Sequence, residues 1–136
     1  MPVLPRKGLL AIAAVIDVAI NATGRPVSAK TLAARHKLPP RHLEPVLQAL
    51  VRDGILKGMR GPHGGYELGR ERKKISANDI LRAAGRDDDA AELALPASGA
   101  IFEAVRAKLA DAEKAFAAAL TRVTVDDMAA AAEQRK

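Results

Sequence analysis

At 136 residues the chain is long enough for one domain and an appended element. Its 49% hydrophobic content with only 2% aromatics calls for a core of Leu, Ile, Val and Ala, which suits close-packed helices and argues against a β-sandwich. The net charge of +6 is unevenly divided: residues 1–86 carry 16 Lys/Arg against 6 Asp/Glu, a balance of +10, and residues 87–136 carry 6 against 10, a balance of −4. A basic N-terminal part suits a polyanionic partner. No apolar run of about 18 residues is free of charge, and Met1–Lys7 does not open a signal peptide, so neither a membrane span nor export is expected and the cytoplasm is the default compartment. The absence of cysteine excludes disulfides and leaves no thiolate for zinc or an iron–sulfur cluster.

The first predicted element is a helix from Leu4 to about Ala22, with Leu9, Leu10, Ile12, Ala13, Ile16 and Ile20 as a broad apolar face. Thr23-Gly24-Arg25-Pro26 ends it. Ser28 is an N-cap for a second helix to about His36, with Leu32 and Ala33 facing inward. Leu38-Pro39-Pro40 makes a turn. A third helix then runs to about Asp53, burying Leu43, Val46, Leu47 and Leu50, and Gly54 closes it. With Arg41 or His42 as its N-cap, Pro45 falls at the fourth or third helical position, so this helix is expected to start late or to have a distorted first turn.

Two short strands, Ile55–Met59 and Tyr66–Leu68, flank the glycine-rich run Arg60-Gly61-Pro62-His63-Gly64-Gly65. Helix, turn, helix and then a basic hairpin is the layout of a winged helix-turn-helix. Ser76 with Asp79 three residues on starts a fourth helix, predicted to end near Ala84 at Gly85. Residues 86–97 read as a surface connection. A long helix follows from Ser98 to about Arg122. Its Ile101, Val105, Leu109, Ala112, Phe116, Leu120 and Val123 recur at steps of 4, 4, 3, 4, 4 and 3, a coiled-coil-like seam. Such a seam needs a covering surface, and a second copy of the chain is the simplest supplier. Thr124 caps a short last helix carrying Asp126 and Asp127 at its positive end. The tail Glu133–Lys136 is expected to fray. The expected architecture is thus mainly α, with a DNA-binding winged helix over 1–86, a connecting or sensor loop over 87–97, and a dimerisation helix plus a short helix over 98–136.

Several of these strings carry a family resemblance: Pro5-Arg6-Lys7-Gly8, Pro26-Val27-Ser28, Arg41-His42-Leu43-Glu44-Pro45-Val46-Leu47, Gly54-Ile55-Leu56-Lys57-Gly58, Arg60 to Leu68, and Ile75-Ser76-Ala77-Asn78-Asp79-Ile80. On these residues the chain resembles the Rrf2 family of bacterial transcription regulators, strongly over 5–85 and more weakly over 99–130. The resemblance implies a winged helix, a homodimer made through the long penultimate helix and a palindromic operator. Several members of that family sense through an iron–sulfur cluster held by three cysteines after the fourth helix. Here that stretch, Asp87 to Gly99, has none. No cofactor is therefore expected, and any signal would be a small molecule, a partner protein or protein abundance.

Helix-turn-helix geometry places the start of the third helix at the base edges of double-stranded DNA, which nominates Arg41, His42 and Glu44. Arg41 suits guanine and Glu44 suits cytosine N4. Repelled by phosphate, Glu44 is useful at DNA only as a base reader; otherwise it is salt-bridged to a neighbouring arginine or solvated. Arg60, at the base of the wing, suits a narrow A·T-rich minor groove. Arg6, Lys7, Ser28, Lys30, Lys57 and His63 are candidates for backbone contact. His36, His42 and His63 lack ligand spacing. Asp87-Asp88-Asp89 with Glu92 lacks the pattern of a calcium loop, and no catalytic constellation is recognisable. The expected function is a sequence-specific, homodimeric repressor that is not an enzyme. The competing reading is a winged-helix protein-interaction module without specific DNA binding.

Overall fold

The structure, a computed structural model, describes residues 4, 6–92 and 99–135, with only the backbone described for 86–92. In chain order it contains α1 (Arg6–Asn21), α2 (Ala29–Arg35), α3 (Pro40–Arg52), β1 (Leu56–Met59), β2 (Gly65–Leu68), a short 3-10 turn at Arg72–Lys74, α4 (Ala77–Glu92), α5 (Ala100–Thr121) and α6 (Val125–Gln134). The mainly α winged helix expected from the sequence is the fold observed.

Local signals set most of the helix starts. The Ser28 hydroxyl accepts from the Thr31 N–H at 3.0 Å and caps α2. Ser76 and Asp79 bond reciprocally at the head of α4, each at 3.0 Å. Thr124 and Asp127 form the same capping box on α6, each bond 3.1 Å. Each box satisfies two backbone donors that the first turn leaves open.

α3 departs from expectation at its start. Pro39 is the N-cap and Pro40 the first helical residue, where a fixed φ and a missing N–H cost nothing. Pro45 is therefore the sixth helical residue, beyond the first turn. The helix runs on through it, and the Arg41 carbonyl loses its helical donor. That carbonyl lies on the exposed side, where water can replace the bond. The predicted stripe Leu43, Val46, Leu47 and Leu50 is buried.

α1 presents a different face from the one expected. Ala11, Ala14, Val15 and Val18 are its fully buried apolar residues, and it packs on α4, α6, β2 and α3. Leu10, Ile12 and Ile16 lie at the edge of the core, Ala13 and Ile20 are half-buried, and Leu9 is 37% exposed. The helix is apolar on nearly every side, so periodicity could not choose. The small Ala11 and Ala14 let neighbouring helices approach closely, and that decides the face.

α4 does not stop at Gly85 but continues to Glu92. One glycine costs a helix only about 1 kcal/mol, and Arg86 to Glu92 contains no breaker. Of the predicted connection, residues 86–92 are thus helical, and 93–97 lie outside the described residues. α6 returns to the core. Val125 and Ala129 are fully buried. A short bridge between Ser76 and Thr124 ties α6 to the segment before α4, with the Ala77 N–H donating to the Val123 carbonyl (2.7 Å) and the Val125 N–H to the Ile75 carbonyl (2.8 Å). Glu133 is helical and pairs with Arg72 at 3.3 Å.

Candidate nucleic-acid interface

The wing is a two-stranded antiparallel ribbon in which Leu56 faces Leu68 and Met59 faces Gly65. Its loop closes with the Gly64 N–H donating to the Gly61 carbonyl at 2.9 Å. Gly61 has φ +112°, a region side chains avoid. A Cβ on Gly64 would lie 2.4 Å from the Met59 carbonyl oxygen. Arg60 and His63 are both exposed, one at the end of β1 and the other at the loop tip.

The wing is not free to swing. Val27, immediately before α2, pairs with Tyr66 through two backbone hydrogen bonds of 2.9 and 2.8 Å. Gly65 makes this approach possible, because a Cβ there would sit 2.4 Å from the Val27 carbonyl oxygen. Arg60 is thereby held in fixed relation to the helix-turn-helix. Sequence reasoning missed this anchor, whose only local sign is a β-branched residue between Pro26 and the cap Ser28.

A second brace joins α1 to α2. Asp17 is 7% exposed in the middle of α1. Its carboxylate accepts from Arg35 Nε (2.8 Å) and Nη2 (2.9 Å) and from Asn21 Nδ2 (3.0 Å), and His36 Nε2 lies 2.9 Å from it. Burial pushes the carboxyl up, but these bonds and the Arg35 charge outweigh burial and hold it below the ordinary carboxylate range. The sign available in the sequence was a lone acid inside an apolar helix.

The described structure gathers the predicted contact residues into groups. Arg6, Lys7 and His42 line one groove of about 740 Å³ between α1, the turn at Pro39 and α3. Ser28 and His63 share a second cleft of about 430 Å³ with Arg25 and Arg35, between α2 and the wing tip. The Ser28 hydroxyl is already engaged, donating to Thr31 Oγ1 at 2.9 Å and accepting the cap bond. Arg41 and Glu44 are exposed on α3, Lys30 on α2 and Lys57 on β1. Burial raises the Tyr66 phenol of the wing, and the negative charge of Glu44 raises it further. Among the described residues Glu44 has no salt-bridge partner, which removes the ion-pair explanation for it. Also among the described residues, no three or more His, Asp or Glu side chains gather to hold a metal, and no helix is long and apolar enough to cross a membrane.

A helix-turn-helix whose third helix buries one stripe and exposes a polar face, braced to a basic hairpin, is the architecture of the winged-helix class. The family model described as "Rrf2: Iron-dependent Transcriptional regulator" matches residues 4–131, and the chain belongs to the Rrf2 family. It is 32% identical over 87 residues to the HTH-type transcriptional regulator IscR of Escherichia coli, a match covering 64% of this chain and 54% of that protein. The match thus spans about half the length of that relative. Among solved structures it is similar to T. potens IscR, with a TM-score of 0.74, 29% identity, and coverage of 98% of this chain and 90% of that one. It is also similar to CymR, the global cysteine regulator of B. subtilis, with a TM-score of 0.73, 28% identity, and coverage of 96% and 98%. The E. coli relative and CymR are both named as regulators. The donor set here does not fit a cysteine-held iron–sulfur cluster, because the chain has no cysteine.

Proposed function

We propose that the protein represses transcription in the cytoplasm by occupying a palindromic operator as a homodimer, with α3 in the major groove and Arg60 in the minor groove. The observation that carries this reading is the Val27–Tyr66 bridge. It couples the wing arginine to the helix-turn-helix, so that one rigid unit can meet two grooves at once. Arg6, Lys7, Lys30, Lys57 and His63, with the α2 start at Ser28, supply backbone contacts around it. Arg41, His42 and Glu44 meet base edges.

The dimer reading rests on α5. None of its 22 residues is buried, and Ile101, Val105 and Leu109 are 83%, 51% and 54% exposed. Ala112 is exposed as well, whereas Phe116 and Leu120 are half-buried. An apolar stripe of this length on a soluble regulator calls for a partner surface. Leu109→Asp is expected to halve the mass seen in sedimentation equilibrium and to weaken operator binding. An unchanged mass would contradict the seam.

Titration of labelled duplexes at several salt concentrations tests the DNA reading. Wild-type affinity should fall steeply with salt. Arg60→Ala should cost specific binding about 1–3 kcal/mol. Glu44→Ala should leave nonspecific affinity almost unchanged and relax the base preference. Flat salt dependence and an inert Arg60→Ala would instead describe a protein-docking module.

A further inference from the structure

We infer that Gln48 is a base-reading residue of α3, specifying an adenine about three base pairs from the base met by Arg41. This rests on the assignment of α3 to the major groove.

The geometry of α3 singles Gln48 out. Leu43, Val46, Leu47 and Leu50 are buried on one side. At 100° per residue, the directions opposite that stripe belong to Arg41, Pro45, Gln48 and Arg52, all exposed. The two other base-contact candidates lie on its flanks. At 100° per residue Glu44 falls on one side of that line and His42 on the other, where His42 lines the groove beside Arg6 and Lys7. The outermost line of α3, the one that would enter a groove deepest, is therefore Arg41, Pro45 and Gln48, with Arg52 at the far end.

The chemistry of that line is divided. Pro45 has no N–H and offers only ring carbons, which suit a thymine methyl. Arg41 and Arg52 carry the charge. Gln48 is neutral, so phosphate attraction gives it no task. Its carboxamide has one acceptor and two donors, and no internal hydrogen bond engages it among the described residues. That pair matches the N6 donor and N7 acceptor of adenine. Seven residues separate Gln48 from Arg41, about 10 Å along the helix axis. With about 3.4 Å per base pair, this corresponds to about three steps when the helix lies along the groove.

The test is selection of bound duplexes from a random pool by the full-length wild type, Gln48→Ala and Gln48→Glu, followed by affinity measurements on the selected site. Both variants keep a good helix former at an exposed position, so folding is retained. Wild type should prefer adenine at one position per half-site by about tenfold. Gln48→Ala should lose that preference there and nowhere else. Gln48→Glu should move it toward cytosine, whose N4 donates to a carboxylate. Identical base preferences for all three proteins, alongside a preference relaxed by Glu44→Ala, would overturn the role of Gln48 and leave the DNA reading standing. A pool with no enriched sequence for wild type would overturn both.

Discussion

Replacing Gly65 with alanine is expected to weaken specific DNA binding sharply while leaving most of the fold in place. The new Cβ would stand 2.4 Å from the Val27 carbonyl oxygen, 2.5 Å from the Val27 carbonyl carbon and 2.8 Å from the Ser28 nitrogen. All three are backbone atoms, so no side-chain rotation relieves the clash. The wing must withdraw from Val27, and the two hydrogen bonds of 2.9 and 2.8 Å break. Each is worth only about 1 kcal/mol of stability, and of the core only its edge at Val27, Tyr66 and Leu68 is disturbed. Binding suffers far more, because Arg60 loses its fixed position relative to α3. The expected result is a loss of operator affinity of about 5- to 150-fold, from the 1–3 kcal/mol of one lost specific contact. Amide-exchange protection at Val27 and Tyr66 should fall together. Full protection at both amides with normal binding would show that the bridge does not hold the wing.

Asp17→Ala should be the most destabilising single change among the polar residues. It leaves Arg35 and His36 without their shared anion and removes the link between α1 and α2. The stranded Arg35 is 44% exposed and can rehydrate, so the cost is that of the lost charge-assisted hydrogen bonds, about 1.5–3 kcal/mol, a large share of the roughly 5–15 kcal/mol that holds a domain together. The melting temperature should fall by roughly 10 °C. Arg35→Ala should cost less, since that side chain is 44% exposed and Asp17 keeps Asn21 and His36.

The same carboxylate sets a pH dependence. Its folded-state pKa is depressed, so its contribution is fully present above the unfolded value of about 3.9 and disappears as pH falls through the lower folded value. Wild type should therefore lose stability on acidification below about pH 4 more steeply than Asp17→Asn, which has no proton to take up. Parallel acid-denaturation curves for the two would show that Asp17 is not the responsible group.

Short-range features of this chain were legible without coordinates. The caps Ser28, Ser76 with Asp79, and Thr124 with Asp127 are each completed within three residues. The buried stripe of α3 stands out because polar residues surround it, and the wing stands out because its glycines and Arg60 sit between two short apolar runs. These patterns suffice for the winged helix and for most of the candidate DNA contacts. What required the tertiary structure depends on residues far apart in sequence. The buried face of α1 is set by α4 and α6. The partners of Asp17 lie 18 and 19 residues away, and the anchor of the wing is Val27. Gly85 reads as a stop, yet α4 continues through it, and the sequence groups α6 with the dimerisation helix over 98–136, yet Val125 and Ala129 complete the core. The physical reason is common to all of these. A cap or a turn minimises its energy among its own neighbours, and sequence order displays it. The orientation of a uniformly apolar helix, the pairing of a buried charge and the docking of a hairpin gain their free energy only from surfaces that folding brings together.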